Sequence, residues 1–423
     1  MEKMTSVQRS KVPSFDVAVL HDRDGGSDTV LIAGGGGKMK SGVLNSIQVA
    51  RGGQNGLEYE TSHDTGVDLC NSLSSGICKR FDVHGEIEVQ EEFVACGFSG
   101  ECGVFRATRD GHKLCLTVVS RFQADFFDGP DGPDMKCSCF VDHPAATGQR
   151  DDVMHLVTGG EDGAIRLWEC SKRARGDSTV NWVLGKHKGP IMTLDVQSSS
   201  SGDSRRRVMS ASKDGSIAVW DVVKKSRVCQ FSLTGAAAAD ASIPTHVECR
   251  SALFSPDGSS IFAIFSGKQS TFIAKFDSSE DEIRLAVVRK IAKVASTRMV
   301  ANSTAEFIAV GIASGEVAVF RADSLSLVSK RQCHDFTITG LSFFRSTDCE
   351  EALVSVSVDS KVAVTRLDDL RSVVFQYAFR YLPLSYVSPG GVLGSRYIRG
   401  HLVMMLFFQM TLLILWTYLK GLK

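Results

Sequence analysis

The chain lacks an excess of charge of either sign. Its 423 residues contain 48 lysines and arginines and 48 aspartates and glutamates, so the net charge is zero. A protein that binds nucleic acid without sequence preference neutralises phosphates with an excess of basic residues. The balanced charge therefore argues against nucleic-acid binding, and we expect no nucleic-acid partner.

Proline is scarce, and the common signatures of catalytic sites are missing. Only 9 prolines stand against 39 glycines, a composition that suits tight turns between short strands. No pair of the 12 cysteines has zinc-ribbon spacing, and no serine or cysteine follows a nucleophile-elbow pattern. We interpret the cysteines as reduced and mostly buried, and we expect no covalent enzyme chemistry.

The N-terminus also lacks an apolar signal, whereas the other end of the chain is strongly apolar. The first residues, MEKMTSVQRSKVPSF, are polar, which favours a cytosolic position for the bulk of the chain. Residues 402–419 read LVMMLFFQMTLLILWTYL without a charge. A helix of that length is about 27 Å long, close to the thickness of a thin bilayer. The sequence predicts a stem at 376–401, a single transmembrane helix at 402–419 and a short lumenal tail at 420–423.

The body of the chain, residues 1–375, is repetitive. The segments TGGEDGAIRLWEC and SASKDGSIAVWDV share an Asp-Gly turn, an alternating apolar strand and a final tryptophan. These tryptophans, Trp168 and Trp220, are 52 residues apart. Weaker copies place Phe105, Phe276, Phe320 and Thr365 in the aromatic position, and a first copy, VLIAGGGG…NSIQVA, carries an insertion in its turn.

This repeat predicts the fold class. Repeats of about 40–50 residues with a Trp-Asp signature are typical of β-propeller blades. We therefore predict an all-β, seven-bladed propeller in which the N-terminal strand SFDVAVL completes the last blade. The central copies resemble the WD-repeat family, and in that family His187 and Asp214 would be a structural pair of turn residues. The dipeptides His63-Asp64 and His334-Asp335 are interpreted as parts of variable turns.

The insertion in the first copy is AGGGGKMKSGVLN, from Ala33 to Asn45, and is called the glycine loop below. Four consecutive glycines cost roughly 0.5–1 kcal/mol each in conformational entropy when they are held in place. The segment does not match a phosphate-binding loop, because Ile32 and Met39 occupy positions that the Walker pattern reserves for Gly and for Ser or Thr. An idle, flexible hairpin remains an alternative.

The whole architecture resembles a specific family. A seven-bladed WD-repeat domain, a GGGG-x4-G-x-x-N loop in the first blade and a C-terminal anchor are similar to the exchange factors for Sar-type GTPases. This resemblance implies a guanine nucleotide exchange factor at the endoplasmic reticulum membrane, with its propeller facing the cytosol. Its partner would be a Sar-type small GTPase, and its role would be to start COPII coat assembly in ER-to-Golgi transport.

The resemblance also implies roles for the glycine loop. The tip inserted into the GTPase would be Val43, Leu44 and Asn45, and further contacts would come from Lys38, Lys40 and Gly42. The implied mechanism is displacement of bound GDP rather than covalent chemistry. This chain has Val43-Leu44 where the family more often has Ile-Pro.

A potassium ion is the cofactor that the resemblance implies. Its ligands would be carbonyl groups of Gly34, Gly35, Gly36 and Gly37 and the side chain of Asn45. Main-chain ligation of an ion suits bare glycine backbone, and ordering the loop before the partner arrives would offset part of its entropy cost. The alternative function is a non-catalytic, membrane-anchored WD-repeat scaffold, for which changes at Val43 and Leu44 would be silent.

Overall fold

A computed structural model describes most of the N-terminal part of the chain. The described residues are 5–22, 26–37, 42–53, 56–81, 87–110, 113–141, 153–172, 178–197, 207–236, 243–279, 282–347 and 351–367. The chain divides into two compact units, Met1–Val373 and Val374–Lys423. The predicted stem at 376–401, span at 402–419 and tail at 420–423 lie outside the described residues.

The described residues form seven antiparallel, four-stranded sheets, which are the blades of a β-propeller. The first strand is β1 (Thr5–Arg9). Blades one and two contain β2 (Ser14–Leu20), β3 (Thr29–Gly34), β4 (Asn45–Gly53), β5 (Gly56–Gly66), β6 (Ser72–Phe81), β7 (Ile87–Phe98), β8 (Glu101–Asp110) and β9 (Lys113–Gln123). Blades three and four contain β10 (Met135–Val141), β11 (Val153–Gly160), β12 (Ala164–Ser171), β13 (Ser178–Lys186), β14 (Ile191–Val196), β15 (Arg207–Ser212), β16 (Ser216–Asp221) and β17 (Ser226–Ser232).

The remaining three blades follow the same order. A four-residue helix, α1 (Leu233–Ala236), connects blade four to blade five. Blades five and six contain β18 (Glu248–Phe254), β19 (Ser260–Gly267), β20 (Ser270–Ser278), β21 (Ile283–Ala292), β22 (Ser296–Ala301), β23 (Phe307–Ile312), β24 (Glu316–Arg321) and β25 (Leu327–Gln332). Blade seven contains β26 (Ile338–Phe344), β27 (Ala352–Ser357) and β28 (Lys361–Arg366), and β1 is its fourth strand.

The first strand of each blade lines the centre of the ring. Strands β2, β6, β10, β14, β18, β22 and β26 contact one another in this order, and β26 returns to contact β2. The later strands of each blade follow outwards in chain order. The predicted all-β, seven-bladed fold is therefore confirmed.

A different strand from the predicted one closes the ring. The segment SFDVAVL is β2, the innermost strand of blade one, so the prediction that it completes the last blade was wrong. The closing strand is β1, which pairs antiparallel with β28 and places Val7 opposite Ala363. The burial pattern gives the physical reason, because β2 is almost entirely buried whereas β1 contains only half-buried and exposed residues. An outermost strand has solvent on its free side and tolerates the polar sequence TSVQR.

The predicted repeat corresponds to a repeated packing position. Trp168, Trp220, Phe105, Phe276, Phe320 and Thr365 all lie on the third strand of a blade. Each pairs with an apolar residue on the second strand, as in the pairs Leu156–Trp168 and Val208–Trp220. Trp220 also joins a core cluster with Leu167 and Leu184 of the preceding blade. This position therefore packs neighbouring blades together, which explains its preference for large aromatic residues.

No helix among the described residues has the length and hydrophobicity of a membrane span. The cysteines of this part of the chain agree with the interpretation as mostly buried thiols. Ten of them are free, and seven of these are buried.

Candidate functional site

Two kinds of connection lie on one face of the propeller, here named the loop face. In an antiparallel blade, the hairpin between the second and third strands lies at the same end as the link from the fourth strand to the next blade. A backbone hydrogen bond joins the two kinds of connection, because the N–H of His187 donates to the carbonyl oxygen of Gly163 at 2.9 Å. The glycine loop connects β3 to β4, so it lies on the loop face.

Asn45 fixes the base of the glycine loop. Its side chain is buried, with 3% of the residue exposed. The Oδ1 atom accepts a hydrogen bond from the N–H of Gly37 at 2.9 Å, and Nδ2 donates to the carbonyl oxygens of Gly37 and Gly66 at 3.3 and 3.1 Å. The Asn45 side chain thus joins Gly37 to the start of β4 and ties both to Gly66 at the end of β5.

Two glycines of the loop are required by close packing. A Cβ atom on Gly34 would lie 2.3 Å from the carbonyl oxygen of Pro13, and one on Gly35 would lie 2.2 Å from Oδ1 of Asn45. Gly35 also has a φ of 152°, which disfavours other residues. The glycine run therefore lets the backbone approach Asn45, which an idle hairpin would not need.

The tip of the glycine loop is apolar and exposed. Val43 is 36% exposed and Leu44 is 71% exposed. The two side chains form a small apolar patch on the loop face. They are flanked by the buried Asn45 and by Gly42, which has a left-handed φ of 75°. The predicted contact residues Lys38 and Lys40 lie outside the described residues.

The loop face carries further exposed apolar side chains. Among the described residues, large hydrophobics that are exposed within its connections are Val43, Leu44, Val67, Phe126, Val294, Phe336 and Val358. In the connections of the opposite face, the described residues include only Val223. The other exposed hydrophobics lie on outermost strands. A concentration of apolar side chains on one face is typical of a surface that contacts another macromolecule.

The donors at the glycine loop are compatible with a hard monovalent cation. The oxygen donors of Gly34, Gly35, Gly36, Gly37 and Asn45 are carbonyl and amide oxygens, which are the ligand class that such cations prefer. Oδ1 of Asn45 and the carbonyl oxygen of Gly37 already accept hydrogen bonds within the loop, so a cation would have to share or replace these contacts. No cluster of three or more His, Cys, Asp or Glu side chains within the described ranges could hold a metal.

The predicted structural pair His187–Asp214 is part of a larger hydrogen-bonded group. His187 Nδ1 lies 3.6 Å from Oδ2 of Asp214, and its Nε2 lies 2.8 Å from Oγ of Ser210. The indole N–H of Trp220 donates to the same Ser210 oxygen at 2.8 Å. Burial lowers the pKa of His187, and the Asp214 carboxylate opposes this shift. The group links four parts of the blade and is structural, as predicted.

A second group of this kind was missed in the sequence. His334 is buried, with Nδ1 3.2 Å from Oδ1 of Asp359 and Nε2 2.9 Å from Oγ of Ser355. His334 and Asp335 do lie in the connection between β25 and β26, but His334 is a buried, bonded residue of it. The interpretation of His63-Asp64 as a turn was wrong, because both residues lie within β5. Little in the sequence marks the His334 group, because Thr365 replaces the tryptophan that marks the equivalent position in blades three and four. The spacing from His334 to Asp359 is close to that from His187 to Asp214 and could have revealed the pair.

The central channel is a polar cavity of about 550 Å³. Its wall includes Asp16, Lys136, Asp195 and Arg298, each on the first strand of a different blade. Oδ2 of Asp195 accepts a hydrogen bond from the N–H of Phe254 at 2.7 Å, which joins blades four and five. Burial raises the pKa of Asp195 to about 6, although backbone hydrogen bonds favour its charged form.

Asp16 has the same role between blades one and two. Its Oδ2 accepts a hydrogen bond from the N–H of Leu73 at 2.9 Å. Burial raises the pKa of Asp16, and the nearby Arg298 opposes the shift. These channel carboxylates therefore connect adjacent blades through hydrogen bonds to backbone N–H groups.

Comparison with known protein families supports the repeat architecture. The WD40 family, described as WD domain, G-beta repeat, matches residues 178–221, from β13 to β16. No curated protein matches the chain significantly. The family match and the seven four-stranded blades together support a relationship to the WD-repeat superfamily.

Proposed function

We propose that this WD-repeat propeller is a guanine nucleotide exchange factor for a Sar-type small GTPase. The observation that carries the proposal is the construction of the glycine loop. Its base is fixed by the buried Asn45, and its tip presents Leu44 with 71% of its surface exposed. An apolar side chain held out on a braced loop has the form of a wedge for a partner protein.

The wedge would act by displacement. A small GTPase holds GDP through its phosphate-binding loop and through Mg²⁺. Insertion of the loop tip between the switch regions would favour a conformation that binds GDP weakly, and GTP would then enter by mass action. Burial of one leucine side chain contributes about 1.5–3 kcal/mol. That energy is available to offset the lost contacts to the nucleotide.

A potassium ion would support this role by ordering the loop before the partner binds. The residues that would hold it are Gly34, Gly35, Gly36, Gly37 and Asn45, and Lys38, Lys40 and Gly42 would contact the GTPase. An ordered loop costs less entropy on association than a flexible one. The wedge itself consists only of protein side chains.

We further propose that the protein acts at the endoplasmic reticulum membrane, where it would start COPII coat assembly for ER-to-Golgi transport. Residues 402–419 would be the membrane anchor, with the propeller in the cytosol. If the exchange factor and the GTPase are both held at one membrane surface, their effective concentration is higher, which would favour exchange there.

The experiment measures the release of fluorescent GDP from a Sar-type GTPase in the presence of the full chain. Leu44→Asp should lower the exchange efficiency about ten- to a hundredfold, which is the loss of 1.5–3 kcal/mol of apolar burial. Leu327→Asp is the matched control, because Leu327 is 56% exposed on the outermost strand β25 and lies away from the loop face. Equal rates for both variants and the unchanged chain would refute the role of the loop. A comparison of the GDP-release rates in potassium and sodium buffer tests whether a potassium ion supports the loop.

A scaffold without exchange activity is the second candidate function. It is favoured by exposed apolar residues in other connections of the loop face, including Phe126 and Phe336 at 56% and 61% exposure. These would bind partners that never contact Leu44. In that case Phe126→Asp and Phe336→Asp would remove partner binding, whereas Leu44→Asp would be silent.

A further inference from the structure

Besides the central channel, the propeller has a second cavity, which lies on the loop face. It concentrates positive charge in a chain that has no net charge. This basic pocket has a volume of about 890 Å³ and lies over blades four and five. Its lining contains six lysines and arginines but only two carboxylates. The basic residues are Lys186, Lys188, Lys213, Arg227, Arg250 and Lys268.

The basic side chains come from separate connections of the loop face. Lys186 and Lys188 flank His187 between blades three and four, and Lys213 lies in the β15–β16 hairpin. Lys268 lies in the β19–β20 hairpin of the next blade. All four lysines are exposed, and none forms an ion pair with a carboxylate in the described part of the chain. Their charges are therefore available to a ligand.

The two carboxylates of the basic pocket are already engaged. Asp214 accepts hydrogen bonds from the N–H groups of Ser216 and Lys188, both at 2.9 Å. Glu248 forms an ion pair with Arg250. The Nε atom of Arg250 is nevertheless buried without an acceptor. Because this nitrogen has almost no accessible surface, the attraction for an anion rests on the excess of basic side chains that line the pocket.

We propose that the basic pocket binds an acidic peptide segment of a partner protein through carboxylate or phosphate groups. The volume is that of a site for several functional groups rather than for one ion. Arg227, Gln230 and Ser232 of the wall belong to β17, the outermost strand of its blade, and a strand edge suits an extended peptide. A concave site does not match a flat membrane, and a neutral chain does not match nucleic acid. The proposal is independent of exchange activity.

The test measures fluorescence anisotropy of labelled peptides with the full chain. The probes are a hexaglutamate peptide, a peptide with three phosphoserines and an uncharged hexaglutamine peptide. We expect the acidic peptides to bind with an affinity that falls with salt, and the hexaglutamine peptide not to bind. Binding of the phosphopeptide alone also supports the proposal and identifies phosphate as the recognised group.

The decisive variant is Lys188→Ala combined with Lys213→Ala. An exposed ion pair contributes about 0.2–1 kcal/mol, so the double variant should bind about two- to twentyfold more weakly. Lys113→Ala with Lys224→Ala is the matched control, because both residues are exposed in hairpins of the opposite face. Lys268→Ala provides an independent variant should the first one melt at a lower temperature. Equal affinities for the pocket variants and the control would overturn the proposal, as would equal binding of the acidic peptides and the hexaglutamine peptide.

Discussion

Asp195 gives the most quantitative prediction about the propeller. Its pKa rises from 3.8 to about 6 because burial in the wall of the central channel disfavours the charged carboxylate. At pH 8 the folded protein must therefore carry a poorly solvated charge. The shift corresponds to about 3 kcal/mol, and screening by channel water reduces this to about 1–3 kcal/mol, because the side chain is partly exposed.

Asp195→Asn removes this charge and can keep the hydrogen bond from Phe254. An amide oxygen in place of Oδ2 can still accept from the N–H of Phe254, which lies 2.7 Å away. We expect the free energy of unfolding at pH 8 to increase by about 1–3 kcal/mol. Because the folded-state pKa is raised, the unchanged protein gains stability as it binds a proton below pH 6. The advantage of the variant should therefore shrink as the pH falls from about 6 towards 4.

The assay is urea unfolding of the full chain at several pH values between 4 and 8, followed by tryptophan fluorescence. Asp110→Asn is the control, because Asp110 is exposed at the end of β8. It should have no effect at any pH. A destabilised Asp195→Asn variant at pH 8, or a gain that does not depend on pH, would refute the reasoning about the buried charge.

Three further predictions follow from contacts in the blades and the loop. Trp220→Phe removes the indole donor to Ser210, and urea unfolding should show a loss of about 1 kcal/mol; a neutral outcome would mean that water replaces the bond. Deletion of residues 1–9 removes β1 and exposes the edge of β28, so calorimetry should show a melting temperature lower by several degrees. Gly35→Ala places a Cβ against Asn45 at a φ of 152°, which costs about 1–3 kcal/mol locally. It should lower the GDP-release rate at least about fivefold and the melting temperature by a few degrees; full activity would show that the loop tolerates rearrangement.

The blades could be predicted from the sequence because each repeats one local pattern. An Asp-Gly turn, an alternating strand and a large aromatic residue mark the third strands, and Trp168 and Trp220 lie at equivalent positions. The closing strand could not be identified in this way. Five residues of polar, half-exposed strand carry no periodic signal, and only the pairing of β1 with β28 across the whole chain identifies them.

The glycine loop could be located from its composition, but its internal contacts could not. The family resemblance implied Asn45 as a potassium ligand and part of the tip, and the structure adds its hydrogen bonds to Gly37 and Gly66. Such bonds depend on β5 returning beside β4, which is a tertiary arrangement. The basic pocket was missed for the same reason. Lys186 and Lys268 are more than 80 residues apart, and only the packing of adjacent blades brings them to one cavity.

The most direct test of the central claim is turnover of a Sar-type GTPase by the unmodified chain. The GTPase is loaded with fluorescent GDP and mixed with excess GTP and one-tenth of an equivalent of the full-length protein in potassium buffer. An exchange factor acts repeatedly, so we predict complete release of the fluorescent nucleotide at a rate proportional to the amount of chain, with a Ras-type GTPase unaffected. Release no faster than the spontaneous rate would contradict the exchange function and leave a WD-repeat scaffold.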